Sequence, residues 1–263
     1  MSGVDNLRSR LAERTVVVVG ASEGGIGGET AARCAAEGAR VVIGDINLDG
    51  AKRLVAALPP GQATALYVDI ADETSVHDFM RAAEECYGQI SGLVNVVAHS
   101  TDGDSILTDI DPSIFDRVMH VNLRGFMLTC RAAIPAMLRG SGGSIVNIAS
   151  IRGLLGTPRL VAYSCSKAAI IALTRHIATR WGPDNVRANV IAPGLVVTPM
   201  LQKQVDSGDM DGTDLHGGIL VPRVGRPQDI AATCAFLLSE DAGYITGQVL
   251  TVDGGELAHY YRP

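Results

Sequence analysis

Seven short apolar runs recur along the chain, each rich in β-branched residues. They are TVVVVG (15–20), RVVIGD (40–45), TALYVD (64–69), LVNVVA (93–98), SIVNIAS (144–150), VRANVIAPG (186–194) and QVLTVDGG (248–255). Most are continuously apolar rather than alternating, which is the pattern of strands covered on both faces. Between them lie stretches whose composition suits helices: 27–37, 48–57, 73–87, 112–138, 160–180 and 227–238. Strands alternating with helices predict a doubly wound α/β fold, a parallel sheet of about seven strands with helices on both faces. No linker, repeat or low-complexity stretch interrupts the pattern, so residues 1–263 read as a single domain.

In an open parallel sheet, ligands bind outside the carboxyl ends of the strands. Gly20, Asp45, Asp69, Ser150 and the pair Pro193 and Gly194 each follow a predicted strand, so five loops converge on one crevice. The first loop belongs to VVVVGASEGGIGGE (16–29). It fails the usual dinucleotide fingerprint G-x-G-x-x-G, because counting from Gly25 and Gly27 puts Thr30 at the third glycine. A glycine-rich turn that opens a helix still leaves unpaired N–H groups suited to a pyrophosphate. By itself it also suits an ordinary strand–helix turn. Asp45 sharpens the choice: a carboxylate ending the second strand would accept bonds from the adenosine ribose and repel a 2′-phosphate, favouring NAD over NADP. The competing reading of Asp45 is a turn or capping residue for the helix that DINLDG begins.

Tyr163 and Lys167, in YSCSK, lie one turn apart on one face of a predicted helix. A phenol with an ordinary pKa near 10 needs a neighbouring cation to act as a base near neutrality. Ser150, at the tip of SIVNIAS, is placed to meet that tyrosine across the crevice and bind the same substrate oxygen. Asn122 falls inside the helical stretch 112–138, where asparagine is unfavourable unless its amide has a partner or the helix breaks there.

Composition narrows the function classes. Forty-seven per cent hydrophobic residues and a mean hydropathy of +0.21 exclude a disordered chain. No apolar run approaches the ~20 residues that span a bilayer, and MSGVDNLRSR has no apolar signal core, so a cytoplasmic protein without a membrane partner is expected. A formal net charge of −6 argues against a nucleic-acid partner. Five scattered cysteines without a C-x-x-C pair suggest neither disulfides nor a metal site, and no metal is expected.

With these residues in order, the chain resembles the short-chain dehydrogenase/reductase family over essentially its whole length. The resemblance rests on Asn122, Ser150, Tyr163 and Lys167, on APGLVVT (192–198), and on the ending GRPQDIAATCAFLLSEDAGYITGQVLTVDGG (225–255). It implies an NAD(P)-binding Rossmann-like domain, with Tyr163 as general acid/base and Lys167 lowering its pKa and holding the nicotinamide ribose. Ser150 would orient the substrate oxygen, and Asn122 would hold a proton-relay water. Thr198 and the backbone at Val196 would hold the nicotinamide carboxamide, and Asp69 and Ile70 would flank the adenine. Gly20, Ser22, Gly24, Gly25, Ile26, Gly27, Asn95, Ala98, Pro193 and Gly194 complete the implied cofactor contacts. A homotetramer is implied by the resemblance alone.

The sequence departs from the family pattern at two places. The family's T-G-x-x-x-G-x-G has Val19 for its threonine and one inserted residue, so either Gly24 or Gly25 makes the close approach. The family's N-N-A-G appears as NVVAHS, which retains Asn95 and introduces His99, read either as a contact to bound molecules or as structural.

The segment 200–222, polar and rich in Gly and Asp, reads as a substrate lid. The leading expectation is an NAD(H)-dependent oxidoreductase interconverting a secondary alcohol and a ketone on a small molecule. The alternatives are a 3-oxoacyl-thioester reductase docking an acyl carrier protein through Arg124, Arg131 and Arg139, and a non-catalytic dinucleotide-binding regulator.

Overall fold

The computed structural model describes residues 9–258 apart from 22, 102, 200 and 203–217. Its centre is strand β1 (Thr15–Val19), five β-branched residues that are all buried. Successive side chains of a strand point to opposite faces. Val17 and Val19 accordingly enter one hydrophobic cluster, and Val16 and Val18 enter the other. A strand that must fill two cores has no room for polar alternation, and that explains its unbroken valine run.

Around β1 the chain adds β2 (Arg40–Asp45), β3 (Ala63–Tyr67), β4 (Gly92–Asn95), β5 (Gly143–Ile148), β6 (Val186–Pro193) and β7 (Val249–Val252). The strand order is β3-β2-β1-β4-β5-β6-β7, and every pairing is parallel. All seven predicted strands are present, and the doubly wound α/β reading is correct. Only the edge strands β3 and β7 lack a fully buried residue.

The helices are α1 (Ile26–Ala36), α2 (Leu48–Ala56), α3 (Glu73–Tyr87), α4 (Pro112–Met119), α5 (Gly125–Arg139), α6 (Val161–Trp181) and α7 (Pro227–Leu238). Residues of α3, α5 and α6 pack into one cluster, with Phe79, Phe126, Met137 and Ile170. Residues of α1, α2 and α7 pack into the other, with Cys34, Leu54, Ile230 and Leu238. Three helices start on side-chain caps: Asn47 accepts from Gly50 N (3.1 Å), Asp72 from Thr74 N (2.9 Å) and Asp111 from Ser113 N (2.8 Å). Helix α1 does not; its N-cap is Gly25, without a side-chain bond.

The strand order reverses between β1 and β4, and the crevice for a ligand opens at such a switch point. There the two loops touch: a Cβ on Gly20 would lie 2.7 Å from Val97 Cγ2.

The predicted helix 112–138 is divided. Between α4 and α5 the residues His120–Arg124 form one π-helical turn, centred on the buried Asn122. An extra residue in a helical turn redirects a side chain without ending the helix. Neither an uninterrupted α-helix nor a break describes this segment.

Candidate active site

The glycine loop gives its glycines different backbone roles. Gly20 adopts φ +88° and donates its N–H to Gly44 O at 2.8 Å. Gly24 adopts φ +79°, and a Cβ there would lie 2.9 Å from Pro199 Cγ. It is therefore the left-handed turn residue that absorbs the insertion. Gly25, at φ −94° and ψ −179°, caps α1, and a Cβ there would meet nothing within 4 Å. Ile26 opens the helix, and Gly27 packs it onto the strand end, where a Cβ would sit 2.2 Å from Gly20 O. Ser22 lies outside the described residues.

Asp45 ends β2 as expected, and its Oδ1 accepts the N–H of Asn47 at 2.8 Å. The turn reading is thus satisfied, and Asn47 rather than Asp45 is the helix cap. The carboxylate still stands at the strand tip beside the glycine loop, where Glu23 pairs with Arg53 of α2 at 3.3 Å. Asp69 follows β3, with its Oδ1 accepting from Ala71 N at 2.9 Å. The Ile70 side chain is buried, and a Cβ on Gly125 would lie 2.5 Å from its Cδ1, so that side chain serves packing.

Asn95 departs from its implied role. Its amide donates to Asn147 Oδ1 (2.9 Å) and Cys130 Sγ (3.4 Å), and its carbonyl accepts from Thr129 Oγ1 (2.8 Å). Asn147 in turn donates to Thr174 Oγ1 at 2.9 Å. The Asn95 side chain therefore belongs to a buried polar network between sheet and helices, not to the crevice. A buried amide must be paired on both ends, and this network does so. Ala98, two residues beyond Val96, lies exposed in the following loop.

Asn122 reaches into the same loop. Its Oδ1 accepts from His99 N at 2.7 Å, and its Nδ2 donates to His99 O at 3.0 Å and to Ser166 Oγ at 3.1 Å. Ser166 Oγ donates onward to Tyr163 O at 2.7 Å. Both amide hydrogens are committed, so the side chain has none left for the relay water the resemblance implied. Among the described residues the buried Nε2 of His99 has no hydrogen-bond partner.

Ser150, Tyr163 and Lys167 come together as the spacing implied. Ser150 follows β5, its hydroxyl accepts Arg152 N at 3.2 Å, and it stands near enough to Tyr163 to draw the phenol's pKa down. Lys167 is buried, donates to Ile148 O at 3.0 Å and lies 5.5 Å from the centre of the Tyr163 ring. The electrostatics differ from expectation. Burial raises the Tyr163 phenol above its usual value, while the Ser150 hydrogen bond and the charge of Arg152 pull it down. Burial likewise disfavours the charge of Lys167 and brings its pKa to about 7. Arg152 escaped the sequence reading; its position two residues after Ser150 was the available signal.

The wall beyond β6 is built by Pro193, Gly194, Val196 and Thr198. Gly194 N donates to Val252 O (3.2 Å), and a Cβ there would lie 2.8 Å from Asp253 Cα. Val196 is buried and bridges to Gly225. Thr198 Oγ1 accepts from Leu201 N at 3.2 Å. A cavity of about 620 Å³ opens between Gly24, Thr198 and Pro199. Most of the expected lid 200–222 lies outside the described residues.

A family model described as Enoyl-(Acyl carrier protein) reductase matches residues 20–256. The chain belongs to the short-chain dehydrogenase/reductase family. It is 43% identical to a probable short-chain type dehydrogenase/reductase from Bradyrhizobium diazoefficiens, over 94% of this chain and 89% of the relative. It is 38% identical to 7alpha-hydroxysteroid dehydrogenase from Bacteroides fragilis, over 95% of this chain and 97% of the relative. The crystal structure of levodione reductase superimposes with a TM-score of 0.88 at 31% identity, covering 95% of this chain and all of that one. Membership makes the short-chain dehydrogenase/reductase described here an oxidoreductase acting on alcohols and ketones, and implies a nicotinamide dinucleotide cofactor. Among the described residues, no helix is long and apolar enough to cross a membrane, and no group of His, Cys, Asp or Glu side chains suits a metal ion.

Proposed function

We propose that this short-chain dehydrogenase/reductase interconverts a secondary alcohol and a ketone on a small organic substrate, using NAD(H). The observation that carries the reading is the convergence of Ser150, Tyr163 and Lys167 at the ends of β5 and α6, beside the switch point. The crevice fits a dinucleotide: open space in front of Gly25 at an uncapped helix start leaves room for a pyrophosphate, and backbone N–H groups favour its charge. Asp45 would accept the ribose hydroxyls, and its negative charge favours NAD over NADP. Lys167 would hold the nicotinamide ribose, and Thr198 with the Val196 backbone would hold the carboxamide. When bound, the nicotinamide supplies or accepts the hydride.

The proton belongs to the protein. In alcohol oxidation Tyr163 takes the hydroxyl proton while Ser150 hydrogen-bonds the same oxygen; in ketone reduction Tyr163 returns it. Burial keeps the phenol neutral near pH 7, ready to donate. The Ser150 bond and Arg152 reduce the penalty on the phenolate formed when it has donated. Large apolar side chains stand exposed in the loops after β4, β5 and β6: Ile106, Leu107, Leu154, Leu155, Leu220 and Val221. This rim supports an apolar substrate.

The arginines named for carrier-protein docking each have an acidic neighbour. Arg124 and Arg131 both pair with Glu73, and Arg139 pairs with Glu84. The regulator reading does not account for an intact Ser150–Tyr163–Lys167 cluster. Screening secondary alcohols and ketones with NAD(H) and NADP(H), then repeating the active pair with Tyr163→Phe, tests the proposal. Turnover should fall about 10²–10⁴-fold without loss of NADH binding. Undiminished turnover refutes the role of Tyr163.

A further inference from the structure

The catalytic helix α6 starts without a cap of its own. Its N-cap, Leu160, sits at φ +63° and offers no polar side chain. The first N–H groups of a helix have no partner inside it. Here they are met from a loop far away in sequence. Asp104, only 3% exposed, accepts Ala162 N on Oδ1 at 2.9 Å and Tyr163 N on Oδ2 at 2.8 Å. Its backbone oxygen accepts Leu160 N at 3.2 Å, and its own N–H donates to Thr101 O at 2.9 Å.

The loop that carries Asp104 connects β4 to α4. It also carries His99, held by Asn122, and the exposed rim residues Ile106 and Leu107. One carboxylate therefore joins the substrate-side loop to the backbone of Tyr163. Bonds from N–H donors to a carboxylate are short and strong, and a negative charge at a helix start is favourable. Removing either acceptor would leave α6 able to shift relative to Ser150, and small displacements of a reacting group have large effects on rate.

We propose that Asp104 is a positioning residue, which sets the Tyr163 phenol against Ser150 by tethering the start of α6 to the loop between β4 and α4. It acts through Tyr163 and touches neither substrate nor cofactor. The inference rests on the reading of Tyr163 as the acid/base.

The experiment uses the full chain, NAD and a secondary alcohol that the wild type oxidises. Asp104→Asn, which keeps one acceptor, and Asp104→Ala are compared with the wild type, with active sites counted by NADH titration. NADH affinity should stay within about 2-fold, while kcat per site falls about 10-fold in Asp104→Asn and about 100-fold in Asp104→Ala. Hydrogen exchange at the amides of Ala162 and Tyr163 should accelerate in both. In the Tyr163→Phe background, Asp104→Asn should lower the residual rate no further. A wild-type kcat per site in Asp104→Asn overturns the proposal, as does an undiminished fall in the Tyr163→Phe background. Should Asp104→Ala not fold, Asp104→Asn decides. Full turnover by Tyr163→Phe alone would instead remove the parent reading, whatever the Asp104 variants do.

Discussion

Two glycines two positions apart in the same motif should fail in opposite ways. At Gly27 a methyl group would lie 2.2 Å from Gly20 O and 2.8 Å from Ala21 Cα. Both neighbours are backbone at the end of the central strand, so helix α1 must back away by roughly 1 Å. Overpacking of this kind destabilises by about 1–3 kcal/mol and sometimes more, and a backbone obstacle puts Gly27→Ala at the upper end. For a chain of this size, about 3 kcal/mol lowers Tm by roughly 6–10 °C. Gly25 already has dihedral angles that alanine adopts, and its Cβ would meet nothing within 4 Å. Gly25→Ala should therefore keep Tm within about 2 °C, in line with surface substitutions of ±0.5 kcal/mol. The space it fills is the space proposed for the pyrophosphate. Holding the phosphate off the α1 N–H groups removes a charge-assisted hydrogen bond, about 1.5–3 kcal/mol, which is roughly 10- to 100-fold in Kd. Thermal unfolding without dinucleotide and fluorescence titration with NADH measure the two effects separately. Wild-type NADH affinity in Gly25→Ala would refute the placement of the pyrophosphate. An unchanged Tm in Gly27→Ala would refute the packing role.

Lys167→Met should stabilise the protein without dinucleotide at pH 6. The folded lysine titrates at about 7 against an ordinary 10.5, so keeping it charged inside the protein carries a penalty that is complete below pH 7 and disappears as pH rises toward 10.5. Allowing for the lost bond to Ile148 O, the gain is on the order of 2–3 kcal/mol. It should shrink steadily above pH 7; parallel Tm–pH curves for the two proteins would refute it. Asp45→Ser should improve NADP relative to NAD by roughly 30-fold, from about 2 kcal/mol of screened repulsion between a carboxylate and a 2′-phosphate. An unchanged ratio of kcat/KM values would detach Asp45 from cofactor choice. Asn122→Ala should lower stability by about 2–4 kcal/mol, because it leaves the N–H and C=O of His99 without their bonds. Urea unfolding reads this directly, and an unchanged midpoint would refute the clamp.

The parts of the molecule legible in sequence are those determined locally. Strand β1 had to be apolar throughout because both faces are buried, so its run of valines announced the strand and its cover on both sides. Tyr163 and Lys167 share a helix face by spacing alone. The choice between Gly24 and Gly25 was not legible, because identical residues differ only in dihedral angle: the left-handed turn falls on Gly24. The π-helical turn at His120–Arg124 was hidden for a different reason. Its cause is a set of bonds from Asn122 to His99 and Ser166, far away in sequence. Asn95 looked like a cofactor contact in its motif, yet its partners Thr129 and Asn147 come from α5 and β5 and draw it inward. Asp104 gave no signal, since an aspartate in a polar loop is ordinary until the uncapped helix it serves is seen beside it.

These non-local bonds also account for how the loop after β4 departs from the family's N-N-A-G while the catalytic cluster stays intact. Asn122 holds His99 through backbone N and O, so the hold does not depend on which side chain stands at that position. The cap on α6 comes from Asp104, five residues further on, and is likewise made to backbone N–H groups. Substituting His99 therefore need not release the two attachments that join this loop to the catalytic wall. Side-chain identity in the loop is then open to follow the substrate, while the geometry of Ser150 and Tyr163 is held by amide and carboxylate bonds to main chain.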